Sequence, residues 1–229
     1  MIESIKDICN KYNSTDRKEV ERLYAVFYER MEHVEILKEH IIRHEEHVLK
    51  KLKKHEKDFP MNAIELLKEI TPKDVSTART YFESYILMLF SLTDILALML
   101  FHILSLNADP KKLYFKDLIM QTRKIKLKQY NDGLIFFAAK KLYNSNDYKY
   151  FNALNNTIKH RSVISTSHTL KLAEVKNYFS IQEIEYNEQT YPKISSDTLF
   201  SKAELFIEGL KKCILALEEI PETNNQAQE

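Results

Sequence analysis

Apolar positions along the chain recur mostly at three- and four-residue spacing, and long stretches run without a proline or glycine. That period is the signature of amphipathic helices. After a short helical lead, Ser14-Thr15-Asp16 supplies a cap for one long helix reaching to about Lys57. Pro60 opens a shorter helix, and Thr71-Pro72-Lys73-Asp74 combines a cap, a first-turn proline and a first-turn carboxylate at the start of a long central helix. Asp109-Pro110 repeats the stop-and-start signal. Further helices are predicted near Tyr114 to Thr122, Asp132 to Tyr143 and Asp147 to Arg161, the last capped by Ser145 or Asn146.

The period changes in "EVKNYFSIQEIEYNEQTYPKIS", where β-branched and aromatic residues gather and Asn187-Glu188 can turn a strand pair. A small β-hairpin is predicted there. Ser195-Ser196-Asp197 starts a final amphipathic helix to about Glu219, and the polar tail "PETNNQAQE" has too few apolar residues to order itself. The pattern predicts a mainly α helical bundle with a long N-terminal helix and a small β-hairpin before the last helix. It divides into an N-terminal helical region over 1–73, a helical domain over 74–220 and a disordered tail over 221–229.

The run "YILMLFSLTDILALMLFHILSL", Tyr85 to Leu106, is long enough to cross a bilayer. Asp94 lies near its middle, where a carboxylate is costly in lipid, and Ser84, Ser91, His102 and Ser105 share a face beside it. A buried central helix is the preferred reading, with no membrane partner.

Composition narrows the functions available. The chain has 229 residues, 44% of them hydrophobic, enough for a sizeable core. Lys+Arg 34 against Asp+Glu 33 leaves a net charge of +1, so binding to nucleic acid would need a local patch. Two glycines, Gly133 and Gly209, leave little for a phosphate-cradling loop and exclude a Gly-rich nucleotide motif. Cys9 and Cys213 lack any ligand spacing, and the first residues lack a basic-then-apolar leader pattern, so a cytoplasmic protein with free thiols is expected.

Two constellations carry candidate chemistry. His33, His40, His44, His47 and His55 fall along one stripe of the long helix beside Val34, Leu37, Ile41 and Val48. His40 and His44 have the spacing of a metal-binding pair, but the H-E-x-x-H pattern is missing, and histidines flanking a packing face are the favoured reading, with no cofactor or metal. Imidazole titrates at about pH 6.5, so such a stripe could also make a helix contact pH-sensitive.

The second constellation is "NNTIKHRS", Asn155 to Ser162. An imidazole beside two cations suits phosphodiester chemistry: His160 can take the proton of a ribose 2′-hydroxyl while Lys159 and Arg161 hold phosphate. Asn155 and Asn156 offer amides to orient the imidazole or a phosphate oxygen. The plainer alternative is helix termination, since cations favour a helix's carboxyl end.

The stretch "YFNALNNTIKHRSVIS", preceded by the apolar helix and followed by a hairpin and a closing helix, resembles HEPN-like proteins, in particular bacterial ones with an N-x-x-K-H-R signature. The resemblance spans roughly Thr77 to Ile220. It implies an all-helical, often dimeric fold and, in many members, a metal-independent ribonuclease of a toxin-antitoxin or phage-defence system. The family motif is an Arg, a polar residue and, four to six residues after the Arg, a His. His160 then matches the His and Asn156 the polar residue, while Asn155 stands at the Arg position. Arg161 can supply the cation from beside His160, or Arg161 and His168 can form the pair.

Two functions follow. One is an RNA- or nucleotide-binding protein, a homodimer with an antitoxin or similar partner, that cleaves RNA through His160 and Arg161 with Asn155, Asn156 and Lys159 binding substrate. The other is a catalytically inactive helical interaction module.

Overall fold

Helix ends are written into this chain by short polar side chains, and the computed structural model shows how each is used. It describes residues 2–14, 16–53, 70–106, 109–110, 113–120, 133–161, 164–171 and 176–218. The predicted Pro60 helix, His55 and the 221–229 tail lie outside them. The helices are α1 (Ile2–Lys11), α2 (Arg17–Lys53), α3 (Pro72–Ile103), α4 (Phe115–Met120), α5 (Leu134–Asn144), α6 (Asn146–Arg161) and α7 (Ser196–Glu218). The mainly α class, the long N-terminal helix and the hairpin before the last helix are as the pattern predicts.

Asn13 takes the left-handed conformation (φ 50°), and Ser14 and Asn13 donate to the carbonyls of Cys9 and Asn10, which closes α1. Asp16 then accepts the N–H of Glu19 and starts α2. At the start of α3, Thr71 Oγ1 accepts the Asp74 N–H, while the Asp74 carboxylate accepts both the N–H and the hydroxyl of Thr71. This is a reciprocal capping box with Asp in the role usual for Glu. Ser105 (φ 46°) ends α3 in the same way as Asn13 ends α1, with the Leu106 N–H donating to Phe101 O. Ser145 serves twice, donating its N–H to Leu142 O at the end of α5 and accepting the Tyr148 N–H at the start of α6.

The predicted turn is present. Asn187 and Glu188 both have positive φ (50° and 62°), joining β3 (Ile184–Tyr186) to β4 (Gln189–Tyr191). Two positive-φ residues give the turn whose twist matches a hairpin. A second sheet was not anticipated. It consists of β1 (Thr166–Lys171), β2 (Lys176–Ile181) and β5 (Ile194–Ser195) in the order β1-β2-β5, antiparallel, with Thr166 opposite Ile181 and Ile181 opposite Ile194.

The chain forms two compact units. The first comprises residues 1–31, 91–149 and 205–229, and the second residues 32–90 and 150–204. In the first, Val20 and Phe27 of α2, Leu96 and Leu100 of α3, and Phe206 and Leu210 of α7 are buried. Tyr148 bridges Phe115 and Phe206 with ring centroids 5.8 and 6.3 Å away. In the second, Val34, Ile41 and Val48 of α2 are buried with Phe82 and Ile86 of α3, Phe151 of α6 and Phe179 of β2. Val20, Phe27, Val34, Ile41 and Val48 repeat every seven residues and are each 0% exposed, so one seam of α2 supplies core along its length.

Among the described residues α3 alone is long and apolar enough to span a bilayer, and 56% of its most apolar window is buried inside the protein. Its apolar surface is used as core, as expected of a central helix. Cys9 and Cys213 are free and buried, and burial pushes the Cys213 thiol up to about 12, which leaves it protonated and unreactive.

Candidate functional site

The segment Asn155 to Arg161 forms the last two turns of α6. The helix separates its candidate residues by face. Asn155 is buried, 4% exposed. Asn156 is half-buried, and its Nδ2 donates to the carbonyl of Asn152 (2.7 Å) and to Asn152 Oδ1 (3.0 Å), so the amide is engaged with its own helix. The Thr157 hydroxyl is buried with no hydrogen-bond partner among the described residues. Lys159 and His160 are exposed, and Arg161 is the last helical residue.

The exit from the helix is anchored. Ile164, buried three residues beyond Arg161, donates its N–H to Glu83 Oε1 on α3 at 3.2 Å. His168 stands on β1, opposite Phe179 in the register. The two histidines considered for a pair with Arg161 therefore occupy different elements. The backbone at the end of α6 presents carbonyl groups, which by themselves disfavour an anion.

The histidine stripe is used for packing. His40 stacks on Tyr81 of α3, with centroids 5.5 Å apart. His44 stacks on Phe179 (5.4 Å, 2° between planes), and its Nε2 bonds the carbonyl of Asp74 at 2.9 Å. His47 stacks beside His44. Among the described residues no group of three or more His, Cys, Asp or Glu side chains converges as a metal site would require. His102 faces Asp16, with Nδ1 3.5 Å from Oδ2.

Two carboxylates that the sequence did not single out as chemical groups are the most perturbed here. Glu45 Oε1 accepts the N–H of Phe179 at 2.8 Å. Burial pushes this carboxyl up to about 7, outweighing the Ser196 hydroxyl and the Phe179 N–H, and the Asp197 carboxylate adds to the rise. Burial would also raise Asp74, but the Lys51 ammonium, 2.8 Å away, and the Thr71 donors reverse that effect and hold it well below the carboxylate range. Asp74 announces itself by its place in a capping box. Glu45 carries no local signal, because its partner lies 134 residues along the chain.

The fold and the site together define a mainly α-helical protein with an exposed Lys-His pair near the carboxyl end of an internal helix. No protein-family model, curated protein or solved structure matches the chain.

Proposed function

We propose that this is a HEPN-like RNA- or nucleotide-binding protein that engages phosphate at the carboxyl end of α6. The observation that carries this reading is the exposure of Lys159 and His160 on adjacent positions, immediately before Arg161. In the proposed reaction His160 accepts the 2′-hydroxyl proton, the 2′-oxygen attacks the neighbouring phosphorus as the bond from phosphorus to the 5′-oxygen breaks, and the leaving 5′-oxygen takes a proton from solvent water. Lys159 and Arg161 offset the charge that builds on the phosphoryl oxygens. No metal is needed for these steps. Asn155 and Asn156 act by holding the helix end in place, since one is buried and the other is bonded to Asn152. Cytoplasmic residence, a homodimer, and a toxin-antitoxin or phage-defence setting with an antitoxin-like partner belong to the same proposal.

A second reading is a catalytically inactive HEPN-like interaction module. The burial of Asn155 and the bonding of Asn156 to Asn152 favour it, because neither amide then reaches a substrate.

Binding of a single-stranded RNA at two salt concentrations separates the readings. Lys159→Ala and Arg161→Ala should each weaken binding and flatten its salt dependence by about one phosphate contact. Undiminished binding in the double variant would remove the site from consideration.

A further inference from the structure

Outside the α6 site, the first unit holds a groove of about 450 Å³ between α5 and the last turns of α7. Leu134, Phe137 and Lys141 form one wall and Lys212 and Leu215 the other, with Ala138 and Ala216 also lining it. Phe137 is 56% exposed, Leu215 49% and Leu134 43%, an unusual amount of large apolar surface in one place. Leu134, Phe137, Ala138 and Lys141 stand at i, i+3, i+4 and i+7, as do Glu208, Lys212 and Leu215 on the facing helix at i, i+4 and i+7, so each wall is a single helical ridge. Two helical ridges with a groove between them take a third helix.

The charges indicate what kind of helix. Lys141 caps the apolar stripe of α5, and Lys212 stands across from it, paired with Glu208. A second copy of this chain seated on the same groove would bring lysine against lysine, which is unfavourable at a symmetric contact. Among the described residues the lining apart from the lysines is apolar and holds one aromatic ring, which suits an apolar helix face better than a run of stacked bases. We propose that this groove docks an amphipathic helix of a partner protein, with Leu-like residues on the buried stripe and Asp or Glu on its flanks.

The test uses the full chain and a fluorescein-labelled helical peptide with Leu along the i, i+3, i+4, i+7 stripe and Glu on both flanks. A twin peptide has Lys in place of every Glu. The expected result is saturable binding of the Glu peptide at least about tenfold tighter than its twin, a loss of about tenfold or more in Phe137→Ser, and a reversed peptide preference in the Lys141→Glu, Lys212→Glu double variant. Both walls are exposed, so these variants should melt with the wild type, and Leu215→Ser provides a second apolar probe. Absence of saturable binding, equal affinity for both peptides, or binding indifferent to Phe137→Ser and Leu215→Ser would overturn the proposal. So would three other outcomes: binding that appears only after removal of residues 219–229, a wild-type dimer that Phe137→Ser converts to monomer, or displacement of the peptide by single-stranded RNA in a Phe137-dependent manner. These would assign the groove to the chain's own tail, to a second copy or to nucleic acid. Variants at His160 should leave peptide binding unchanged, so failure here and failure of the α6 reading are separable.

Discussion

Glu45 is a carboxyl group whose ionisation works against the fold. Its folded value is raised from the ordinary 4.5 to about 7, so folding favours the protonated form. The cost of ionisation is fully felt above about pH 7 and is relieved as the pH falls toward 4.5, where the unfolded chain also becomes protonated. Glu45→Gln keeps an oxygen to accept the Phe179 N–H and removes the charge. Urea titrations should show Glu45→Gln more stable than wild type by about 1–3 kcal/mol at pH 8 and the two nearly equal at pH 5. A constant difference across that range would mean that the Glu45 carboxyl titrates alike in the folded and the unfolded chain. Asp74 has the opposite sign: its depressed value gives stability that is present above the ordinary 3.8 and lost only as the pH falls through the folded value. Asp74→Asn, which weakens the capping box and strips the ion pair from Lys51, should cost about 1–3 kcal/mol at pH 7, read by the same titration.

At the scale of elements, the turn between β3 and β4 is strained by its second residue. Glu188 has φ 62°, a conformation that costs a side-chain-bearing residue about 1 kcal/mol. Glu188→Gly creates the Asn-Gly pair preferred in such turns and should raise stability by about 0.5–1 kcal/mol; thermal melts check this. Gly209 within α7 presents a different balance. A Cβ there would lie 2.8 Å from the Cδ1 tip of Leu142, a side-chain end that can give way. Gly209→Ala should therefore be near neutral, the helix-propensity gain of about 1 kcal/mol offsetting a small shift of Leu142, whereas Gly209→Leu should destabilise by more than about 1 kcal/mol.

These elements also show what a sequence can disclose. Caps at Asp16, Thr71 and Ser145 and the turn at Asn187-Glu188 were legible because each is settled within about four residues. The β1-β2-β5 sheet was not, since Thr166–Lys171 is polar and becomes a strand only through its pairing with Lys176–Ile181. The burial of Asn155 was equally hidden: which face of α6 meets the core depends on side chains far along the chain, so Asn155 and His160 look alike in sequence and part company in the structure. His44 was legible as a member of a packing stripe but not as the ring that covers Phe179.

For the whole molecule, the use of α3 as core predicts that the protein can be prepared from lysate without detergent; retention in the membrane fraction would contradict the reading of its apolar window as interior. The two compact units separate the candidate chemistry from the candidate docking groove, with α6 from Tyr150 onward in one and the groove residues in the other. A protein built this way can carry an RNA site and a protein site that respond to different substitutions. The central claim is that the α6 end acts on RNA phosphate, and its chemistry has a distinctive product: attack by the 2′-oxygen leaves a 2′,3′-cyclic phosphate and a free 5′-hydroxyl. The most direct measurement is incubation of purified protein with single-stranded RNAs in EDTA, with the ends of any fragments identified by mass spectrometry. The account predicts cyclic phosphate ends from wild type, a fall of about a hundredfold or more in His160→Ala, and a loss in Arg161→Ala. No cleavage by wild type across varied RNAs, or cleavage undiminished in His160→Ala, would contradict it.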